Sequence, residues 1–108
     1  LKMITIYGSE MCPNCIECKR NFDFYKIPYK YIDINQSLKN LKDFLVYRDN
    51  LPIYDECKRN HRIGIPTLVK DNGEAFLTWE SYLKDQGYKV LDLNNEEKSS
   101  CSLKNKNC

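Results

Sequence analysis

Several features are scarce or missing in this chain of 108 residues, and each absence removes a class of protein. No run of about 18 apolar residues occurs, so no membrane-spanning segment is expected and no membrane partner. Charge of neither sign dominates. The 17 basic residues face 15 acidic ones for a formal net charge of +2, without the basic excess of a nucleic-acid footprint, so no nucleic-acid partner is expected. Internal repeats are absent. Tryptophan occurs once against eight tyrosines, which predicts many half-buried rings with polar tips. No secretion signal is read ahead of the first apolar segment, so the expected compartment is the cytoplasm.

What is present fits one modest core. At 12.8 kDa, with 42% hydrophobic and 12% aromatic residues, the chain has the make-up of one small globular domain. Cysteine is plentiful, at six residues. On count alone that would suit a secreted disulfide scaffold. Three of them fall between Cys12 and Cys18, too close together to staple distant loops, and that clustering points to redox or metal chemistry instead.

The most informative stretch is Cys12-Pro13-Asn14-Cys15. It follows an apolar strand pattern (Met3, Ile4, Ile6, Tyr7) and a Gly8-Ser9 turn, and it opens a helical segment. A thiol at a helix N-terminus meets unpaired backbone N–H groups and the positive end of the helix dipole, both of which favour a thiolate. The second thiol lies one turn further in, close enough to displace whatever the first has captured. Pro13 suits the first turn because it has no N–H to leave unpaired. The competing reading of the same spacing is half of a zinc site.

The rest of the chain reads as alternating strands and helices. Residues 2–7 form a first strand, and a helix over 13–25 buries Ile16, Phe22 and Tyr25. Residues 29–34 form a second strand, parallel to the first. A helix starts beyond the caps at 35–37, carries Leu38, Leu41, Phe44, Leu45 and Arg48 at helical spacing, and stops near Asp49-Asn50. Pro52 begins a second short helix to about Asn60. A third strand over 65–69, a tight turn at Asp71-Asn72-Gly73 and a fourth strand over 75–79 make a hairpin. A last helix spans 80–86. The expected fold is therefore α/β: a four-stranded mixed sheet flanked by helices, with the reactive loop at the carboxyl end of the first strand. Residues 1–93 make up the domain, and the polar residues 94–108 a Cys-containing C-terminal tail.

This combination of Met11-Cys12-Pro13-Asn14-Cys15 after a strand, a crossover, and Gly64-Ile65-Pro66-Thr67-Leu68-Val69 before a hairpin resembles the glutaredoxins, within the thioredoxin-like fold. The resemblance covers roughly residues 2–87. It is closest to the glutaredoxin-related proteins of bacteria that have a C-P-x-C motif and a Cys-containing end. It implies a thiol–disulfide oxidoreductase in which Cys12 is the nucleophile, the more exposed of the pair, and Cys15 the resolving thiol. The substrates implied are protein or low-molecular-weight disulfides. It further implies that Pro66 is cis and that Pro13, Ile65, Pro66 and Thr67 contact substrate. No resident cofactor or metal is implied. Glutathione is a candidate co-substrate, a separate reductant is needed, and a monomer is expected. The loop Tyr7-Gly8-Ser9-Glu10-Met11 lacks the lysine usual in glutathione-binding members. The segment 38–62 is longer than their single helix, and its Arg48, Lys58, Arg59 and Arg62 offer a replacement charge for a carboxylate.

The remaining cysteines leave alternatives open. Cys18 is three residues beyond Cys15 and reads as a small helix residue, a third redox thiol or a third metal ligand. Cys101 and Cys108 are auxiliary redox candidates in the tail. A metal-binding or metal-delivery module would use Cys12, Cys15, Cys18 and one further cysteine, for zinc or an iron–sulfur cluster. Cys57 reads as core. His61 reads as a loop residue and not as a general base.

Overall fold

The structure is a computed structural model, and it describes residues 3–92. The expected tail, 94–108, lies outside them. Strand β1 (Ile4–Gly8) runs parallel to β2 (Tyr29–Asp33) and antiparallel to β3 (Thr67–Val69), which pairs with β4 (Ala75–Phe76). The sheet order is β2-β1-β3-β4, and Ile6 stands at its centre between Tyr31 and Leu68. Four helices accompany it: α1 (Pro13–Phe24), α2 (Leu38–Asn50), α3 (Asp55–Arg59) and α4 (Trp79–Asp85), with a 3-10 turn at Pro52–Tyr54. This is the α/β, thioredoxin-like arrangement that the sequence predicts. No helix among the described residues is long and apolar enough to cross a membrane.

Side-chain alternation along β1 divides the interior into two cores. Ile4 and Ile6 point to one side, where they join Cys18 and Phe22 of α1, Leu68, and Trp79 and Leu83 of α4. Tyr7 points to the other, with Phe44 of α2, Tyr54 and Val69. Cys12 and Cys15 belong to this second core, together with Ile34 and Ile65.

Local chemistry sets the element ends. Ser37 caps α2, its Oγ accepting from the Asn40 N–H at 3.1 Å, as a serine before a helix should. Gly73 takes φ +93° in the β3–β4 turn, conformational space that favours glycine. Strand β3 starts at Thr67 rather than at Ile65, because the proline ahead of it has no N–H to give to a ladder. The fourth strand is shorter than expected, and α4 starts at Trp79, whose ring is fully buried.

The buried face of α1 differs from the expected one. Ile16 and Tyr25 are only half-buried, while Cys15, Cys18, Asn21 and Phe22 are fully enclosed. Asn21 is tolerated there because its amide bonds both backbone groups of Leu91, donating to its carbonyl at 3.0 Å and accepting from its N–H at 2.8 Å. Those bonds hold the segment after α4 against α1, where Tyr88 and Val90 pack on the first core. On α2, Leu38 is exposed and Phe44 takes the buried position. Ile53 is likewise exposed, whereas Tyr54 and Cys57 point inward.

Candidate functional site

Strand β1 ends at Gly8 and α1 begins at Pro13, so the four-residue loop between them lies at the carboxyl edge of the sheet. Cys12 is the N-cap of α1 with extended backbone, and Pro13 occupies the first helical position. The Cys12 Sγ does what a capping serine oxygen would do: it accepts the Cys15 backbone N–H at 3.4 Å. The same N–H also donates to the Cys12 carbonyl at 3.0 Å, and an anionic sulfur suits this place at the positive end of a helix. The two cysteines come within 3.3 Å of each other, and both are reduced thiols.

The Cys15 thiol is pushed well up from its ordinary value. Its hydrogen bond with Cys12 is the main cause, burial the next, and the backbone of Ser9 partly offsets them. Of the two sulfurs, Cys15 is therefore the one held as a thiol. Cys12 is also more enclosed than expected, at 2% exposure. Its access is through a cavity of about 120 Å³ lined by Ser9, Met11, Ile34, Asn35, Ile63 and Ile65. That lining is apolar apart from the Ser9 and Asn35 side chains, which hydrogen-bond each other. Met11 and Ile63 are exposed at the site.

A short network fixes the loop facing Cys12. The Ile65–Pro66 peptide bond is cis. The Thr67 hydroxyl donates to the Gly64 carbonyl at 2.6 Å and lies 2.7 Å from the Tyr54 hydroxyl, so this side chain is directed inward and braces the loop. Gly64, at φ +99°, has Tyr54 against it so closely that a Cβ would meet the ring at 2.9 Å. Arg48 reaches across from α2, donating to the carbonyls of Ile63 at 2.8 Å and Arg62 at 2.9 Å. It therefore serves as a clamp on this loop, a role that the sequence did not disclose. On the other side, the Trp79 indole N–H donates to Asn14 Oδ1 at 3.1 Å, tying α4 to the motif itself.

Two further residues complete the surroundings of Cys15. An ideal Cβ built on Gly8 would stand 2.9 Å from Cys15 Sγ and 2.9 Å from the Tyr31 hydroxyl, so only glycine leaves room for both. The Tyr31 hydroxyl is buried. Burial first, then the charges of Cys15 and Glu10 and a hydrogen bond with Glu10, raise its pKa. Lys19 lies over the Tyr31 ring at 4.0 Å and pairs with Glu10 at 2.8 Å. That hydrogen bond with Lys19 lowers the Glu10 pKa. Neither Gly8 nor Tyr31 carries a sequence signal, because both matter only once β1, β2 and α1 are packed.

Of the residues that the sequence points to, Cys12, Cys15, Pro13, Ile65 and Pro66 converge here. Cys18 does not. It is fully buried in the opposite core among Ile4, Ile6 and Phe22, and burial, then Glu80 and Glu17, push its thiol pKa well up. Among the described residues no three Cys, His, Asp or Glu side chains come together as a metal would require. Cys57 is buried beside Gly64. Cys101 and Cys108 lie outside the described residues.

No protein-family model matches the chain, and no solved structure matches it. An uncharacterized protein of Haemophilus influenzae is 33% identical to it over 72 residues, a stretch that covers 67% of this chain and 84% of the other. At that identity and coverage, the chain belongs to the same family as this Haemophilus influenzae protein.

Proposed function

We propose that the protein is a glutaredoxin-like thiol–disulfide oxidoreductase working through Cys12 and Cys15. The observation that carries this reading is the asymmetry of the pair: one sulfur caps a helix as an acceptor and borders an open cavity, and its neighbour is buried and held as a thiol. In the first step the Cys12 thiolate attacks a substrate disulfide, forming a Cys12–substrate bond and releasing one substrate thiolate. In the second, Cys15 loses its proton to solvent and attacks Cys12 Sγ. The mixed disulfide breaks, the second substrate thiolate leaves, and the Cys12–Cys15 disulfide remains. Two electrons pass to the substrate, and an external dithiol or flavin-type reductant must return them. A reducing compartment such as the cytoplasm would suit this cycle.

Pairing the sulfurs this way orders the two steps. While Cys12 is an anion, it holds the proton on Cys15. Once Cys12 is bonded to substrate its charge is gone, the main cause of the raised Cys15 pKa disappears, and Cys15 can ionise. The lining of the cavity argues for the substrate class. Its walls are Met11, Ile34, Ile63 and Ile65 with no charged side chain, and the nearby Arg48 is committed to two backbone carbonyls. A cysteine flanked by apolar residues in a protein disulfide fits this groove better than glutathione, which carries two carboxylates.

The test is a redox titration of the full chain beside Cys12→Ser, counting thiols as the potential is swept. The expected result is a two-electron transition between about −270 and −180 mV that Cys12→Ser abolishes. Exchange should run faster with a peptide disulfide bearing leucine next to its cysteine than with one bearing glutamate. A transition that persists in Cys12→Ser would defeat the assignment.

A further inference from the structure

We infer that Cys101 is a third thiol of the reaction cycle: it enters the cavity beside Cys12, opens the Cys12–Cys15 disulfide and passes the oxidation to Cys108. The inference rests on the dithiol reading above and names, within the same chain, the dithiol that first returns electrons to the site. Its basis is the course of the chain after α4. The bond from Trp79 to Asn14 starts α4 beside the N-terminal end of α1. At the other end of α1, the Tyr25 ring lies 4.5 Å from that of Tyr88. Between these points the chain reverses at Gly87 (φ +91°), where the N–H groups of Gly87 and Tyr88 close α4 on the carbonyls of Lys84 and Leu83. Two contacts with α1 then fix the return. The Tyr25 hydroxyl donates to the Lys89 carbonyl, and the Asn21 amide holds both backbone groups of Leu91. Residues 89–91 therefore run antiparallel to α1, from its C-terminal end toward Cys12.

Distance and composition select the thiol. Cys12 lies nine positions from Asn21, about 14 Å along a helix axis, and crossing the helix to the cavity adds at most its diameter of about 10–12 Å. Cys101 follows Leu91 by ten residues, and a chain of that length spans up to about 33 Å. The cavity has no charged side chain. Ser99-Ser100-Cys101-Ser102-Leu103 is likewise uncharged, whereas Lys104-Asn105-Lys106-Asn107 precedes Cys108, so Cys101 is the entering thiol. Its target is Cys12, which borders the cavity, and not the fully enclosed Cys15. Cys101, its proton lost to solvent, attacks Cys12 Sγ. The Cys12–Cys15 bond breaks, and Cys15 leaves and takes up a proton. Cys108, deprotonated in turn, attacks Cys101 Sγ, and Cys12 leaves as a thiolate. Two electrons have passed from the tail to the site, and the external reductant then reduces the Cys101–Cys108 disulfide.

The experiment starts from the fully reduced full chain, freed of reductant and given excess peptide disulfide with leucine beside its cysteine. Released peptide thiols are counted over time. The parent is expected to reduce two equivalents, Cys101→Ser and Cys108→Ser one each, and Cys12→Ser none. The second equivalent should appear with a rate constant that tenfold dilution of the protein does not change, since the exchange is within one chain. With Cys15→Ser and Cys108→Ser combined, the peptide on Cys12 should be displaced by Cys101, leaving a Cys12–Cys101 bond that mass mapping of unreduced fragments detects. A parent that stops at one equivalent, an equivalent reduced by Cys12→Ser, a second phase that slows on dilution, or the absence of that bond each overturns the inference and leaves the dithiol reading standing. If Cys101→Ser reduces nothing, the dithiol reading itself is defeated, and this inference with it.

Discussion

At the scale of single residues, the site depends on an absence as much as on its thiols. Gly8 ends the central strand in ordinary strand pairing, so its backbone does not demand glycine; the space above it does. A methyl group there would press at 2.9 Å on both Cys15 Sγ and the Tyr31 hydroxyl. Neither can retreat easily, one being on the first turn of α1 and the other in the neighbouring strand. Gly8→Ala is therefore expected to destabilise the reduced protein by about 1–3 kcal/mol, the usual range for overpacking a tight core. A urea denaturation curve reads this as a lower midpoint at unchanged slope. An unchanged midpoint would mean that Cys15 is not seated over the end of β1.

At the scale of elements, the segment 52–64 between α2 and β3 holds the loop opposite Cys12. Arg48 is the link: its guanidinium joins α2 to two successive carbonyls that no strand or helix satisfies. Arg48→Ala is expected to cost about 1.5–3 kcal/mol, the range for hydrogen bonds to a charged group, and to raise KM for a disulfide substrate more than it lowers kcat. Arg48→Lys should recover little, since one ammonium cannot reproduce the forked geometry. Steady-state exchange kinetics beside denaturation midpoints would decide it; a KM unchanged in both variants would remove Arg48 from the site. Much of this layout was legible beforehand. Periodicity and turn residues located every strand and helix, and Cys12-Pro13-Asn14-Cys15 marked the reactive loop. What escaped was the inward face of α1. A pattern that counts Ile16 and Tyr25 as core cannot foresee that Leu91, seventy positions away, satisfies the Asn21 amide. Arg48 escaped for the same reason, because its partners are backbone atoms brought close only by the fold.

Across the whole molecule, α1 carries a thiol into each core, Cys15 on one side of the sheet and Cys18 on the other. Both are held as neutral thiols. Cys15 is raised by Cys12 and by burial, Cys18 by burial and by the neighbouring carboxylates of Glu80 and Glu17. In the unfolded chain each would ionise near its ordinary pKa of about 8.5. Above that pH the unfolded state has released protons that the folded state retains, so the native state binds more protons and stability falls as pH rises. The slope is up to about 1.4 kcal/mol per pH unit for each thiol, and the stability is fully present below about pH 8.5. The reduced protein should therefore show a urea midpoint that is flat from about pH 7 to 8 and drops by about pH 9.5. Cys18→Ala removes one of the two titrating groups, and its midpoint should fall about half as steeply over the same interval, whatever the substitution costs at neutral pH. The comparison needs a reductant present throughout, because forming the Cys12–Cys15 bond removes the other thiol from the titration. An equal slope in Cys18→Ala would place the alkaline sensitivity elsewhere, and would mean that the Cys18 proton is no more tightly held in the folded chain than in the unfolded one.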